Sequence, residues 1–93
     1  MALSKQSIRA LKAKAHHLNP VVTIGQKGLT ENVLNEVDIA LTAHELIKVK
    51  AHQHDKSSCQ EYATTISSTT SCELIAIIGH TLILYRKNPD KAK

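Results

Sequence analysis

The chain has 93 residues, of which 42% are hydrophobic, and a formal net charge of +4. This length suits one domain with a single core, and the hydrophobic content argues against global disorder. Trp and Phe are absent and Tyr is present twice, which counts against nucleic-acid modules that stack bases on aromatic rings, such as an RRM or an OB-fold.

The first predicted element is a helix that Ser4 caps and that runs to about Leu18. Its apolar positions share one side of the helical wheel and are Ile8, Leu11, Ala15 and Leu18. Beside them lies a second stripe formed by Lys5, Arg9, Lys12 and His16, and its cations Lys5, Arg9 and Lys12 are called the basic stripe. We expect Asn19-Pro20 to end the helix, because the residue before a proline is disfavoured in the α conformation.

A short strand over residues 21–24 leads into the loop Gly25-Gln26-Lys27-Gly28, and Thr30 then caps a second helix. Two glycines three positions apart permit positive φ values and a close approach of another backbone. A helix N-terminus favours an anion, and Lys27 adds a full positive charge. The loop therefore resembles the GxxG clamp of KH domains, which holds a nucleic-acid backbone. A turn that needs glycine for its own conformation fits the same residues, and Glu31 in the first helical turn would repel a phosphate.

The remaining elements complete an alternating pattern. Residues 46–51 alternate with period two and predict a strand with Lys48 and Lys50 on one face. Asp55 caps a third helix, which we expect to fray at its end rich in Ser and Thr. Residues 74–78 and 81–85 predict two strands joined by a type II′ turn at Gly79-His80. The order α-β-α-β-α-β-β predicts an α+β fold in two layers, with a four-stranded mixed sheet and three helices. We expect residues 1–93 to form one domain, with a basic tail at 88–93.

Charge is segregated along the chain. Residues 1–28 carry five cations and no carboxylate, whereas residues 29–46 carry four carboxylates and no Lys or Arg. A dipolar surface of this kind would attract a polyanion on its positive side, although ordinary solvated faces give the same pattern. The candidate contacts outside the loop are the basic stripe, Lys48 and Lys50 if their face is open, and Arg86, which the last strand would hold in place.

The sequence gives little support to other kinds of chemistry. Cys59 and Cys72 lack a CxxC spacing, which indicates reduced thiols. No apolar run approaches the ~20 residues of a membrane helix, and no secretory leader is recognisable, so we expect a cytoplasmic protein. His52-x-His54 with Cys59 lacks a fourth ligand, so we expect no metal and no other cofactor. No nucleophile lies beside a base, and no P-loop is present, so we expect no enzyme and no small-molecule substrate.

Four stretches of the chain resemble the CRM domain (chloroplast RNA splicing and ribosome maturation), and in particular its bacterial single-domain YhbY type. They are Leu18-Asn19-Pro20-Val21-Val22, Ile24-Gly25-Gln26-Lys27-Gly28-Leu29-Thr30-Glu31, His44-Glu45-Leu46-Ile47-Lys48-Val49-Lys50 and Ile78-Gly79-His80-Thr81-Leu82-Ile83-Leu84-Tyr85-Arg86. The resemblance implies a KH-like fold related to the C-terminal domain of initiation factor three, and RNA binding without catalysis. It also implies association with precursors of the large ribosomal subunit, with Gly25, Gln26, Lys27 and Gly28 contacting RNA. His80 stands where such proteins often carry Lys or Arg.

The leading hypothesis is a monomeric cytoplasmic RNA-binding protein that acts on ribosomal RNA during assembly of the large subunit. One rival is a protein-interaction adaptor that docks through the acidic second helix. Another rival is a metal-dependent regulator that uses His52 and His54.

Overall fold

The computed structural model describes residues 4–51 and 55–87. Within them, three helices and four strands follow the predicted order: α1 (Lys5–Ala15), β1 (Val22–Ile24), α2 (Glu31–His44), β2 (Leu46–Ala51), α3 (Lys56–Thr70), β3 (Glu73–Ile78) and β4 (Thr81–Tyr85). The strands form one sheet in the order β1-β2-β4-β3. β1 and β2 are parallel, and β4 lies antiparallel between β2 and β3. The predicted α+β fold with a mixed sheet is confirmed.

Each helix begins at its predicted cap. The Ser4 hydroxyl accepts a hydrogen bond from the Ser7 amide at 3.1 Å. Thr30 Oγ1 accepts from the Val33 amide at 3.2 Å, and Asp55 Oδ1 accepts from the Ser58 amide at 2.8 Å. A polar side chain that satisfies a free amide of the first turn is what fixes a helix start, so these boundaries were predictable from single residues.

Two helix ends differ from the prediction. α1 ends at Ala15, because the amides of His17 and Leu18 donate to the carbonyls of Lys14 and Ala15, three residues back, in a tighter final turn. The prediction that α3 frays was wrong. α3 continues to Thr70, which is only 6% exposed and whose hydroxyl donates to the Ile66 carbonyl at 2.7 Å.

The layer count also differs from the prediction, because the sheet has helices on both faces. α2 and α3 pack on one face, over a large apolar cluster that includes Leu82 and Leu84 of β4. α1 packs on the other face, where Ala15 lies against Ile75 and Ile83. β4 is therefore buried on both sides, which explains why its sequence is an uninterrupted apolar run. The fold has three layers rather than two.

The β3–β4 hairpin closes with the predicted two-residue turn. Gly79 has φ +61°, and Ile78 pairs with Thr81 across the turn. The His80 carbonyl accepts a hydrogen bond from the Ala51 amide at 2.7 Å. This bond ties the hairpin tip to the end of β2, and Ala51 in turn pairs with Ile24, the residue before the glycine loop. The hairpin tip and the glycine loop therefore lie at the same end of the sheet.

Candidate nucleic-acid interface

The glycine loop presents two polar side chains at its tip. The Gly28 amide donates to the Gly25 carbonyl at 3.0 Å, which closes a turn with Gln26 and Lys27 at its centre. Both side chains are exposed. Among the residues that the structure describes, the Lys27 ammonium makes no ion pair. It is therefore available to a ligand from outside the molecule.

The two glycines of the loop have different roles. Gly25 is exposed, and a Cβ built on it would meet nothing within 4 Å. Gly28 is buried with φ +76°, and a Cβ on it would lie 3.1 Å from the hydroxyl oxygen of Tyr62 on α3. Gly28 is thus needed for the turn itself and for the close approach of Tyr62. Gly28 therefore has a packing role, and its burial argues against the direct RNA contact predicted for it.

The start of α2 contributes less to anion binding than its position suggests. Thr30 already occupies the Val33 amide, and the exposed Glu31 lies in the first helical turn. A carboxylate there complements the positive end of the helix dipole and repels a second anion. At this end of the loop, Lys27 is the residue that carries a positive charge.

The basic stripe of α1 lies fully on the surface. Lys5, Arg9 and Lys12 are exposed, and together with Ile8 they line a shallow depression of about 320 Å³. The apolar side of α1 holds the helix on the sheet through Ala15. No residue of α1 is acidic, so the positive charge of the stripe is not neutralised within its own helix.

The two lysines of β2 lie on the sheet face that α1 only partly covers. Alternate residues Ile47, Val49 and Ala51 are buried on the opposite face. Lys48 is half-buried and Lys50 is exposed, so the face is open around Lys50. The sequence did not show whether this face is exposed, because its exposure depends on where α1 packs.

His16 lies between the basic stripe of α1 and the two lysines of β2. It follows Lys12 by one helical turn, and it lines a small cavity together with Lys48. Lys50 continues the row along β2 and pairs in register with Thr23 of β1 and Thr81 of β4, which places it near the end of the sheet that carries the glycine loop. We call the cations of this surface the basic track: Lys5, Arg9 and Lys12 of α1, Lys48 and Lys50 of β2, and Lys27 of the glycine loop at the same end of the sheet as Lys50.

Arg86 has a different role from the one predicted. Its guanidinium forms an ion pair with Asp38 at 2.6 Å. It also donates to the Thr70 carbonyl at 2.9 Å, to Thr42 Oγ1 at 2.8 Å and to the Asp38 carbonyl at 3.2 Å. These contacts join the end of β4 to α2 and to the last turn of α3. Arg86 therefore joins the sheet to α2 and α3, on the face opposite α1, and these intramolecular partners argue against the RNA contact predicted for it.

Sequence reasoning misses one residue of this region and one contact. His16 lies on the stripe that the sequence predicts for α1, but nothing in the sequence shows that it lines a cavity together with Lys48. Tyr62 gives no local signal, because its contact with Gly28 depends on how α3 packs beside the loop. Periodic patterns in the sequence do not indicate a tertiary contact of this kind.

Other reactive groups lie outside this surface. Cys59 and Cys72 are buried free thiols. Burial raises the pKa of Cys59, and the Asp55 carboxylate raises that pKa further. Within the described residues no three His, Cys, Asp or Glu side chains could hold a metal ion, and His52 and His54 lie outside those residues. None of the helices in residues 4–51 and 55–87 is long and apolar enough to cross a bilayer.

The fold and its surface define a small α+β domain with one basic face. The chain belongs to the CRS1 / YhbY (CRM) domain family, whose model matches residues 3–86. It is 46% identical over 88 residues to an "RNA-binding protein" of Haemophilus influenzae, covering 95% of this chain and 89% of that protein. It is 37% identical over 93 residues to "Probable RNA-binding protein PA4753" of Pseudomonas aeruginosa, covering 100% and 89%. The solution structure of the hypothetical protein SAV1595 from Staphylococcus aureus is similar, with a TM-score of 0.83, 34% identity and coverage of 94% and 91%.

Proposed function

We propose that this protein binds RNA without catalysis, and that its RNA is ribosomal RNA in cytoplasmic precursors of the large ribosomal subunit. The observation that carries the proposal is the basic track, whose cations lie on α1 and β2, with Lys27 in the glycine loop at the same end of the sheet as Lys50. The relatives named as RNA-binding proteins support the kind of ligand. The resemblance to YhbY-type proteins supports the ribosomal assignment.

The track suits a phosphate backbone better than base edges. Its cations are flexible side chains on a helix, a strand and a loop, and they can follow the spacing of successive phosphates. Both tyrosines are only partly exposed and pack against the two apolar clusters, so they offer no open stacking surface. We therefore propose that the protein, as a monomer, recognises the shape of folded RNA with weak sequence preference.

A salt titration tests the electrostatic part of the proposal. Each neutralised phosphate contributes about −0.7 to −0.9 to the slope of log K against log salt. Replacing Lys12 by Gln should make the slope shallower by about that amount for every RNA tested. Lys14→Gln is the matched control, because Lys14 is exposed on the same helix but lines a groove on its other side. Equal slopes for both variants and the parent would refute the role of the track.

The ribosomal part of the proposal needs a separate experiment. Tagged protein should co-sediment with precursors of the large subunit and not with mature particles. Crosslinking should then join RNA to the glycine loop and α1. Co-sedimentation with neither particle, while the salt-dependent binding persists, would remove the ribosomal assignment and leave RNA binding in place.

A second candidate function is an adaptor that docks a protein through α2. Ile39 of this helix is 68% exposed, beside the exposed carboxylate of Glu36. An adaptor of this kind predicts partner binding that Ile39→Ser weakens and that salt leaves largely unchanged. RNA binding through the track predicts that Ile39→Ser has no effect on RNA affinity.

A further inference from the structure

The sheet face beneath the end of α1 contains a small cavity that is neither fully polar nor fully apolar. It has a volume of about 150 Å³ and is lined by His16, Lys48, Ile78, Thr81 and Ile83. Ligand pockets for drug-sized molecules run to about 300–1,000 Å³, so this cavity suits one flat ring. Its lining residues come from α1, β2 and the β3–β4 hairpin, three elements that the fold holds together.

From this geometry we infer that the cavity is a subsite for one unpaired nucleobase, with the attached phosphate held by Lys48 and Lys50. The inference rests on the proposed RNA binding and adds to it a place where the protein contacts a base. Imidazole rings can stack on bases, and the exposed His16 is the ring at this position. Ile78, which also lines the cavity and is 51% exposed, offers an aliphatic surface to the same base.

The position of His16 favours a base over a phosphate in the cavity. His16 is the C-cap of α1, and the last carbonyls of a helix carry a partial negative charge. That charge disfavours a phosphate beside the ring but does not oppose an uncharged base. Thr81 can donate or accept a hydrogen bond at the base edge. None of the described residues that line the cavity is a carboxylate, so the neighbouring lysines retain their attraction for the backbone.

The test compares two RNA hairpins that share a stem, one with unpaired loop bases and one with abasic loop positions. His16→Ala should weaken binding of the first hairpin about fivefold, the lower end of the range for loss of a stacked ring. It should leave binding of the abasic hairpin unchanged. His17→Ala is the matched control, because His17 is also exposed but does not line the cavity. Ile78→Ser should also weaken binding of the first hairpin and leave binding of the abasic hairpin unchanged.

A direct measurement separates this inference from the proposed function. Uridine 5′-monophosphate, titrated into labelled full-length protein, should shift the amide resonances of Lys48, Ile78 and Thr81. If the parent binds RNA but His16→Ala and His17→Ala behave alike on both hairpins, the subsite is refuted and RNA binding stands. If the parent binds no RNA, the proposed function fails. The nucleotide titration then decides the subsite alone: shifts at the cavity support it and their absence overturns it.

Discussion

Replacing Gly28 by Ala should destabilise the protein, whereas the same change at Gly25 should not. Gly28 has φ +76°, a conformation that costs an L-residue about 1–2 kcal/mol. The new Cβ would also lie 3.1 Å from the Tyr62 hydroxyl oxygen, and a forced side-chain adjustment costs about 0.5–1.5 kcal/mol. The reduced entropy of the unfolded chain returns about 0.4–1 kcal/mol. The expected net loss in the free energy of unfolding is about 0.5–3 kcal/mol.

Urea unfolding followed by circular dichroism measures this loss, and thermal unfolding should show a shift of about 4–8 °C per kcal/mol. Gly25→Ala is the matched control, because nothing lies within 4 Å of its Cβ position and its φ is not positive. Its free energy of unfolding should stay within about 0.5 kcal/mol of the parent. The same substitution should therefore destabilise the protein at Gly28 and leave its stability unchanged at Gly25.

A second background separates the two causes of the loss. In Tyr62→Phe the oxygen nearest the new Cβ is gone, so adding Gly28→Ala to that background should cost less than in the parent. The part caused by the positive φ should remain. If Gly28→Ala leaves stability unchanged in both backgrounds, the loop does not require the left-handed conformation, and our account of why glycine occurs there is wrong.

Three further predictions concern residues on and off the basic track. Arg86→Ala should lower the free energy of unfolding by about 1.5–3 kcal/mol, the range for hydrogen bonds to a charged group. Arg86→Lys should restore little, because an ammonium lacks the planar fork of donors. Calorimetry measures both variants, and unchanged stability would mean that Arg86 does not hold β4 to α2 and α3. Cys59 should react with a thiol reagent only when the protein unfolds. Because its folded pKa is raised above the usual value of 9.0, its contribution to the free energy of unfolding is complete below that pH and is lost as the pH rises through the folded pKa. A Cys59→Ala variant whose stability depends on alkaline pH as that of the parent does would refute this. Lys27→Ala should weaken binding of all RNAs by a similar factor, because a phosphate contact does not depend on sequence. Fluorescence anisotropy with RNAs of different sequence measures this. A loss of affinity for some sequences only would exclude a phosphate contact.

Much of the fold was predictable because it depends on local signals. Ser4, Thr30 and Asp55 each fixed a helix start through one side chain. The alternation in β2 and the Gly79 turn fixed two strand boundaries. What remained unpredictable was tertiary. A helix can pack on either face of a sheet with the same apolar stripe, so the third layer formed by α1 had no signature in its own sequence.

The candidate site likewise contains features that local sequence predicts and features that depend on tertiary packing. The exposed positions of Gln26, Lys27 and the α1 stripe followed from local pattern. Arg86 did not, because its position after a strand suggested a fixed surface cation. Its partner Asp38 lies on α2, and only the packed structure brings the two side chains together. A basic residue next to a binding motif is thus a weak predictor of contact until its intramolecular partners are known.

This division implies that binding and stability can be perturbed separately in this protein. Gly28 and Arg86 hold elements together, the first through backbone conformation and the second through a hydrogen-bonded ion pair with α2. Lys12, Lys27 and Lys50 are exposed cations, and exposed side chains of this kind change stability little when replaced. Substitutions in the first group should therefore reduce RNA binding only in proportion to the unfolded fraction. Substitutions in the second group should reduce it at full folding, and measuring affinity and unfolding on the same samples distinguishes the two.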